Sequence, residues 1–555
     1  MSQEQFFQRH QETLEQAVSA IKARDYWTPY PENPSPRAYG ETAAADGEAA
    51  FKATLGQSFE LDMPGITGEI EGEVSPYGIE MGVRYPKVDF DQLIPAMKQE
   101  TKAWRDAGPD VRAGICLEIL ERLNKRSFEI GHAVMHTSGQ GFMMAFQAGG
   151  PHAQDRGLEA VAYGYRAMKE VPAEATWTKP QGKHDPLVMN KKFHIVPRGV
   201  AVVVGCSTFP TWNTYPGMFA SLVTGNPVIV KPHPASILPA AISVKIAQEV
   251  LKEAGFAPYI VSMVADTLDA PVTKELATHK DVKVIDFTGS SFFGNWLEQN
   301  ATQAQVFTEK AGVNTVIIDS VTDIKAVARN LAFTLSLYSG QMCTTTQAIY
   351  IPRDGIKAGD SQMSFDEVAE ALSVATSKFL GDNDRACMVL GAIQTPATVA
   401  RIKECESLGE VVLASEKREH PQFPNAEVHT PLILKVDASD IDKYSEERFG
   451  PVSFLIATDS TTHSMALANQ VISEKGAITL GVYSTDEDVL DQAEELAMDA
   501  KVALSVNLDG GVFVNQSAAY SDFHATGGNP AANASLTDTA FVARRFVVVQ
   551  SRRHA

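Results

Sequence analysis

The run Gly199-Val200-Ala201-Val202-Val203-Val204-Gly205 is apolar without a break, which is how a strand reads when helices cover both faces of its sheet. A second such strand follows at Pro227-Val228-Ile229-Val230. Ser236 is placed to cap a helix carrying Ile242, Ile246 and Val250 on one face, with Gly255 as its stop. Strand patterns return at residues 259–264 and 282–287. Strands alternating with helices at this spacing predict a doubly wound parallel sheet. A second alternating block runs from Asn314 to about Asn515, with strands expected at 315–318, 348–351, 452–456, 480–483 and 504–507. The fold class is therefore α/β, with two doubly wound domains.

Upstream, residues 89–123 read as helices broken at Gly108-Pro109. The first 88 residues read as one short helix followed by chain rich in Pro, Ala and Gly, with Pro29, Pro31, Pro34 and Pro36 close together. The expected division is an N-terminal extension (1–88), a cofactor-binding domain (89–309), a catalytic domain (310–515) and a tail (516–555). A protruding ribbon is expected near 176–197, and Phe546-Val547-Val548-Val549 reads as an edge strand that pairs with a neighbouring subunit, making a homo-oligomer.

Composition narrows the partners. The 555 residues are 44% hydrophobic, 21% charged and 8% aromatic, within the globular range. A formal charge of -20 with no long Lys/Arg run speaks against nucleic acid, although a few local donors can still hold a small anion. The polar N-terminus and the lack of any apolar stretch of ~20 residues predict a cytoplasmic protein that does not enter a membrane. Cys116, Cys206, Cys343, Cys387 and Cys405 form no CxxC pair, so neither disulfides nor a metal site is expected, and any one that matters should act as a thiol.

Cys343 sits in Ser339-Gly340-Gln341-Met342-Cys343-Thr344-Thr345-Thr346, a turn of small and polar residues beyond a helix end, where a thiol is accessible rather than sealed in a core. Glu309, in Phe307-Thr308-Glu309-Lys310-Ala311-Gly312-Val313-Asn314, would alone read as a solvated charge. Paired with Cys343 it supplies the base that a cysteine thioester needs for hydrolysis. Phe287-Thr288-Gly289-Ser290-Ser291-Phe292-Phe293-Gly294 joins a strand to a helix, a place where amides hold phosphate, though a bland turn reads the same way. Lys231 ends a buried strand at the ligand-binding edge of such a sheet.

Together these residues resemble the aldehyde dehydrogenase superfamily from about Asp89 to Ser551. The resemblance implies Cys343 as nucleophile within Gly340 to Cys343, and Glu309 as general base. It also implies Lys231 as a ribose-binding lysine and the turn through Gly289, Ser290 and Gly294 as the phosphate site. In Glu447-Arg448-Phe449-Gly450-Pro451-Val452, Glu447 would hold the nicotinamide ribose and Phe449 pack on the ring. Two departures stand out. Thr208 occupies the place of the oxyanion asparagine, leaving Thr208 or Asn213 as donor, and Lys310 stands beside the base, where it could hold Glu309 ionised. A narrower resemblance, through residues 206–213 and 231–234, is to the aldehyde dehydrogenases of bacterial phenylacetate degradation, and it implies a CoA-linked semialdehyde as substrate and a separate protein for the preceding hydrolysis. The rival readings are a CoA-acylating dehydrogenase and a catalytically silent scaffold. No acid lies in the segment 231–236, and Lys231 and His233 can both donate to a 2'-phosphate, so NADP is favoured over NAD.

Overall fold

The computed structural model describes residues 2–555, and two sheets organise it. The first contains β1 (Val200–Val204), β2 (Val228–Lys231), β3 (Val261–Met263), β4 (Val282–Thr288) and β5 (Gln305–Glu309). Its order is β3-β2-β1-β4-β5, parallel throughout, and every residue of β1 is buried. Strand order reverses between β1 and β4, which opens a crevice at their carboxyl ends. The second sheet contains β6 (Asn314–Ile318), β7 (Thr346–Pro352), β8 (Glu410–Leu413), β9 (Leu432–Asp437), β10 (Val452–Thr458), β11 (Thr479–Tyr483) and β12 (Ala503–Val506). Its order is β8-β9-β10-β7-β6-β11-β12, with only β8 antiparallel to its neighbour. The α/β class read from the apolar runs holds.

The N-terminal segment departs from its expected form. It opens with a 21-residue helix, Gln3–Ala23, started by a capping box in which Ser2 and Gln5 bond reciprocally. That helix lies against Gly108–Lys125 and Pro151–Lys169. The alanine run begins a further helix, Ala43–Thr54, because alanine carries the strongest helix propensity. Pro36 takes the first position of the short helix Pro36–Tyr39, where its missing N–H costs nothing. Ser236 is not a cap. The helix Leu238–Glu253 begins after it, the Leu238 N–H donates to Glu73 Oε1 at 2.8 Å, and the Ser236 hydroxyl meets Thr137 instead.

Strands Glu174–Gln181 and His184–Pro197 form an antiparallel hairpin, and Phe546–His554 pairs along the second of them. The tail is anchored just before that strand. Arg545, fully buried, donates to both carboxylate oxygens of Asp286 on β4 at 2.7 and 2.5 Å. Among the described residues no helix is long and apolar enough to cross a membrane.

Candidate active site

Cys343 is carried by a turn whose backbone is unusual before it. The helix Ile324–Ser336 runs into a single 3-10 turn, Leu337–Gly340, in which Tyr338 and Ser339 are left-handed at φ 52° and 47°. Gly340 is left-handed too, and a Cβ there would lie 2.3 Å from the Gly450 carbonyl oxygen. Only glycine lets the nucleophile turn touch the late motif so closely. Asn314 clamps the far side, its Nδ2 donating to the carbonyls of Cys343 and Thr345 at 2.8 and 3.1 Å. Cys343 itself is half-buried and lines a cavity of about 700 Å³.

Glu309, at the end of β5, faces this thiol, with a carboxylate oxygen within 4.8 Å of the sulfur. Its carboxylate accepts from Asn213 Nδ2 at 3.2 Å and meets His524 Nε2 at 3.2 Å. Burial alone would raise its pKa, but His524, with Cys343 and Arg156 adding to it, outweighs burial and holds the carboxyl below the usual range. Burial, followed by the Glu309 charge, pushes the Cys343 thiol well up. Glu309, Cys343 and His524 gather one carboxylate oxygen, one thiol and one imidazole within 4.8 Å, a spacing that could suit a cation. These atoms already serve one another as proton donors and acceptors, and we assign no ion to them.

The two oxyanion candidates part company. Asn213, in the turn before the helix Tyr215–Val223, lines the cavity, and its Oδ1 accepts from the Cys206 thiol at 3.4 Å. Thr208 does not line the cavity, and its carbonyl is held by Gln140 at 2.7 Å. Lys310 corrects the expectation placed on it. Its ammonium turns away to Asn295 and Glu298 at 2.9 and 3.0 Å, so Lys310 is not aimed at the Glu309 carboxylate.

Residues 81–529 match the aldehyde dehydrogenase family. The chain belongs to that family. An NAD-dependent aldehyde dehydrogenase from Burkholderia multivorans superposes with a TM-score of 0.98 at 57% identity, covering 99% of each chain. A 1-pyrroline-5-carboxylate dehydrogenase from Bacillus licheniformis is 25% identical, covering 80% of this chain and 83% of that one. A Thermus 1-pyrroline-5-carboxylate dehydrogenase solved with bound NAD shares the fold at TM-score 0.74 and 18% identity, over 96% and 99% of the two chains. The enzyme is thus an oxidoreductase that acts on aldehydes with a nicotinamide dinucleotide.

The dehydrogenase's residues fit such a cofactor. Ser290 caps the helix Ser291–Asn300 directly beyond β4, and Gly289 N–H donates to the Glu309 carbonyl at 3.0 Å, tying this turn to the end of β5. A Cβ on Gly294 would meet the Lys310 side chain at 2.6 Å. Glu447 has no cationic partner among the ion pairs of the described residues, and burial pushes its carboxyl up to about 7, leaving an acceptor suited to sugar hydroxyls. Phe449 is half-buried on the same turn.

Lys231 and His233 differ from their sequence reading. Lys231 Nζ is buried and paired with Asp266 at 2.7 Å, and Asp266 follows β3 rather than β2. The acid missing from residues 231–236 is therefore supplied through space. Burial, with Lys231 adding to it, pulls His233 down to about 4, so its ring is neutral and brings no charge to a phosphate. His524, which sequence reasoning passed over, lay in a Gly/Asn/Ala-rich tail with no spacing to mark it.

Proposed function

We propose that this dehydrogenase oxidises an extended, largely apolar aldehyde to its carboxylate through a thiohemiacetal on Cys343. The observation that carries the reading is the meeting of the Cys343 thiol, on the wall of the cavity, with the Glu309 carboxylate within 4.8 Å of it. The sulfur adds to the carbonyl carbon, and the amide of Asn213, on the same cavity wall, is the side-chain donor assigned to the developing oxyanion. Gly289, Ser290, Gly294, Lys231, Glu447 and Phe449 would hold a nicotinamide dinucleotide, which would supply the hydride acceptor. Glu309 then takes a proton from water as the water attacks the acyl carbon, the C–S bond breaks, and the carboxylate leaves. In this reading 89–309 serves the cofactor and 310–515 the nucleophile.

Substrate class follows from the walls. Phe209, Trp212, Phe333, Phe513, Met143 and Met388 make them apolar, and Arg385 stands exposed at the same cavity. A long unsaturated aldehyde fits this lining, with the Arg385 guanidinium available to a phosphate of a CoA carrier. The CoA-linked semialdehyde of phenylacetate breakdown is the candidate that the narrower resemblance supplies. Of the relatives reported above, two are named as 1-pyrroline-5-carboxylate dehydrogenases and the third by no particular aldehyde. Given the 57% identity to an NAD-dependent enzyme and the Lys231–Asp266 pair, we assign NAD as the preferred cofactor rather than NADP.

Glu309→Gln is expected to accumulate an acyl group on Cys343, seen by intact-protein mass with each of a panel of free and CoA-linked aldehydes, while Cys343→Ala forms no adduct. An active Cys343→Ala would remove the mechanism. Release of an acyl-CoA by the wild type would favour the acylating reading, and turnover confined to small polar aldehydes would remove the substrate class.

A further inference from the structure

His524 reaches the reacting atoms from the far end of the chain. Its side chain is 4% exposed, and Nε2 lies 3.2 Å from Glu309 Oε1 and 3.9 Å from Cys343 Sγ. The other ring nitrogen, Nδ1, faces the Ser517 hydroxyl at 3.4 Å, and the ring stands edge-on to Trp212 with centroids 4.6 Å apart. The loop that carries it is laced to β5 on both sides of the base. Lys310 N–H donates to the Ala531 carbonyl at 2.6 Å, Asn533 N–H to the Thr308 carbonyl at 3.1 Å, and His524 exchanges backbone hydrogen bonds with Leu536 at 3.0 and 2.9 Å.

Charge makes the need for this ring plain. A thiolate on Cys343 would stand buried against the Glu309 carboxylate, and two like charges at that separation suppress each other's ionisation. A cation between them removes the conflict. The titratable groups facing His524 are Glu309 on β5, Cys343 on its turn, Asp522 on its own loop and Arg156 on the helix Pro151–Lys169, with Glu159 and Asp155 behind that arginine. Cys206, beyond Asn213, and Glu447 complete the set around the thiol. Arg156 is committed elsewhere. It donates to Glu159 at 2.8 Å, to Ser517 at 2.9 Å and to the Asp522 carbonyl at 3.0 Å, and it lies over the Trp212 ring.

We infer that His524 is a catalytic residue, the acceptor of the Cys343 proton, and that with Glu309 it forms a cysteine–histidine–glutamate group that prepares the nucleophile. The inference rests on the function proposed above. In the neutral ring Nδ1 carries the proton, toward Ser517, and Nε2 is the acceptor. The S–H bond breaks, its proton passes to Nε2, where it faces Glu309 Oε1, and the electron pair stays on sulfur, so the net charge of thiol and ring does not change. The imidazolium then lies between the thiolate and the Glu309 carboxylate. When hydrolysis later expels the sulfur as thiolate, Nε2–H returns the proton and the thiol is restored. The proton taken from water by Glu309 leaves to solvent separately.

The test is alkylation of Cys343 by iodoacetamide across pH, mapped by mass spectrometry without cofactor or aldehyde. His524→Gln is expected to lower the rate constant near neutral pH by about 100-fold and to move the profile to more alkaline pH. Added imidazole should restore part of the rate in His524→Ala, a rescue that a purely structural role does not give. Ser517→Ala, which leaves the ring in place but also takes a partner from Arg156, should lower the rate severalfold and move the profile to more alkaline pH, a change that a loss of stability alone does not give, and it serves if the histidine variants do not fold. Wild-type rates and profiles in folded His524→Gln, or in Ser517→Ala should the histidine variants not fold, overturn the inference while leaving Cys343 as nucleophile. An active Cys343→Ala overturns the function beneath it.

Discussion

One carboxylate stands at the place proposed for the cofactor's ribose. Asp266 neutralises Lys231 from a neighbouring strand, so a 2'-phosphate would meet a compensated ammonium and a nearby negative charge. Asp266→Asn keeps the side chain's shape and removes that charge. The kcat/KM ratio of NADP over NAD should rise roughly tenfold, equivalent to ~1.4 kcal/mol. An unchanged ratio would show that the pair does not set the choice. Glu447 makes a second residue-scale prediction. Burial pushes its carboxyl up to about 7, so it is ionised above that pH, where it would accept the sugar hydroxyls of the proposed cofactor, and protonated below it. The cofactor KM should therefore climb as pH falls from about 8 to about 6, and Glu447→Gln should flatten that climb. Sequence made Cys343, Glu309 and Glu447 legible because each lies in a local motif. It could not show Asp266, Asn314 or His524, whose roles depend on approach from other strands and from the tail.

Among elements, those with unbroken apolar runs were readable, and those with buried polar faces were not. β1 and β10 fall where the pattern puts them, since burial on both faces leaves little choice of residue. The helix Pro151–Lys169 was missed. Its buried face includes Gln154, Asp155, Arg156 and Glu159, which interrupt the stripe by which a helix is recognised. A similar buried polar contact fixes the tail. Arg545 joins the sheet through Asp286, and removing one partner strands a charge in the core. Arg545→Met is expected to cost about 3–5 kcal/mol in urea unfolding, and Arg545→Met with Asp286→Leu distinctly less. Equal losses in the two variants would mean that the pair contributes packing rather than charge compensation.

At the scale of the whole molecule, the tail carries two separable features. Its loop brings His524 to Cys343, whereas its last strand, Phe546–His554, has the hairpin on one side only and leaves the other edge free. Val547, Val548 and Val549 on that strand are 40%, 44% and 51% exposed. A free edge lined with exposed valines invites pairing with another chain unless a partner covers it. We therefore expect this ribbon to join copies of the enzyme. Because Arg545 anchors the chain before the strand begins, loss of that contact should not reach the His524 loop. Val547→Glu with Val549→Glu places two charges on one face of the strand. Light scattering should show a smaller assembly, with kcat per chain within about twofold of wild type, since the pair Arg545–Asp286 still holds the tail. An unchanged mass would mean that the ribbon is not an interface, and a smaller but inactive assembly would mean that neighbouring copies brace the catalytic loop.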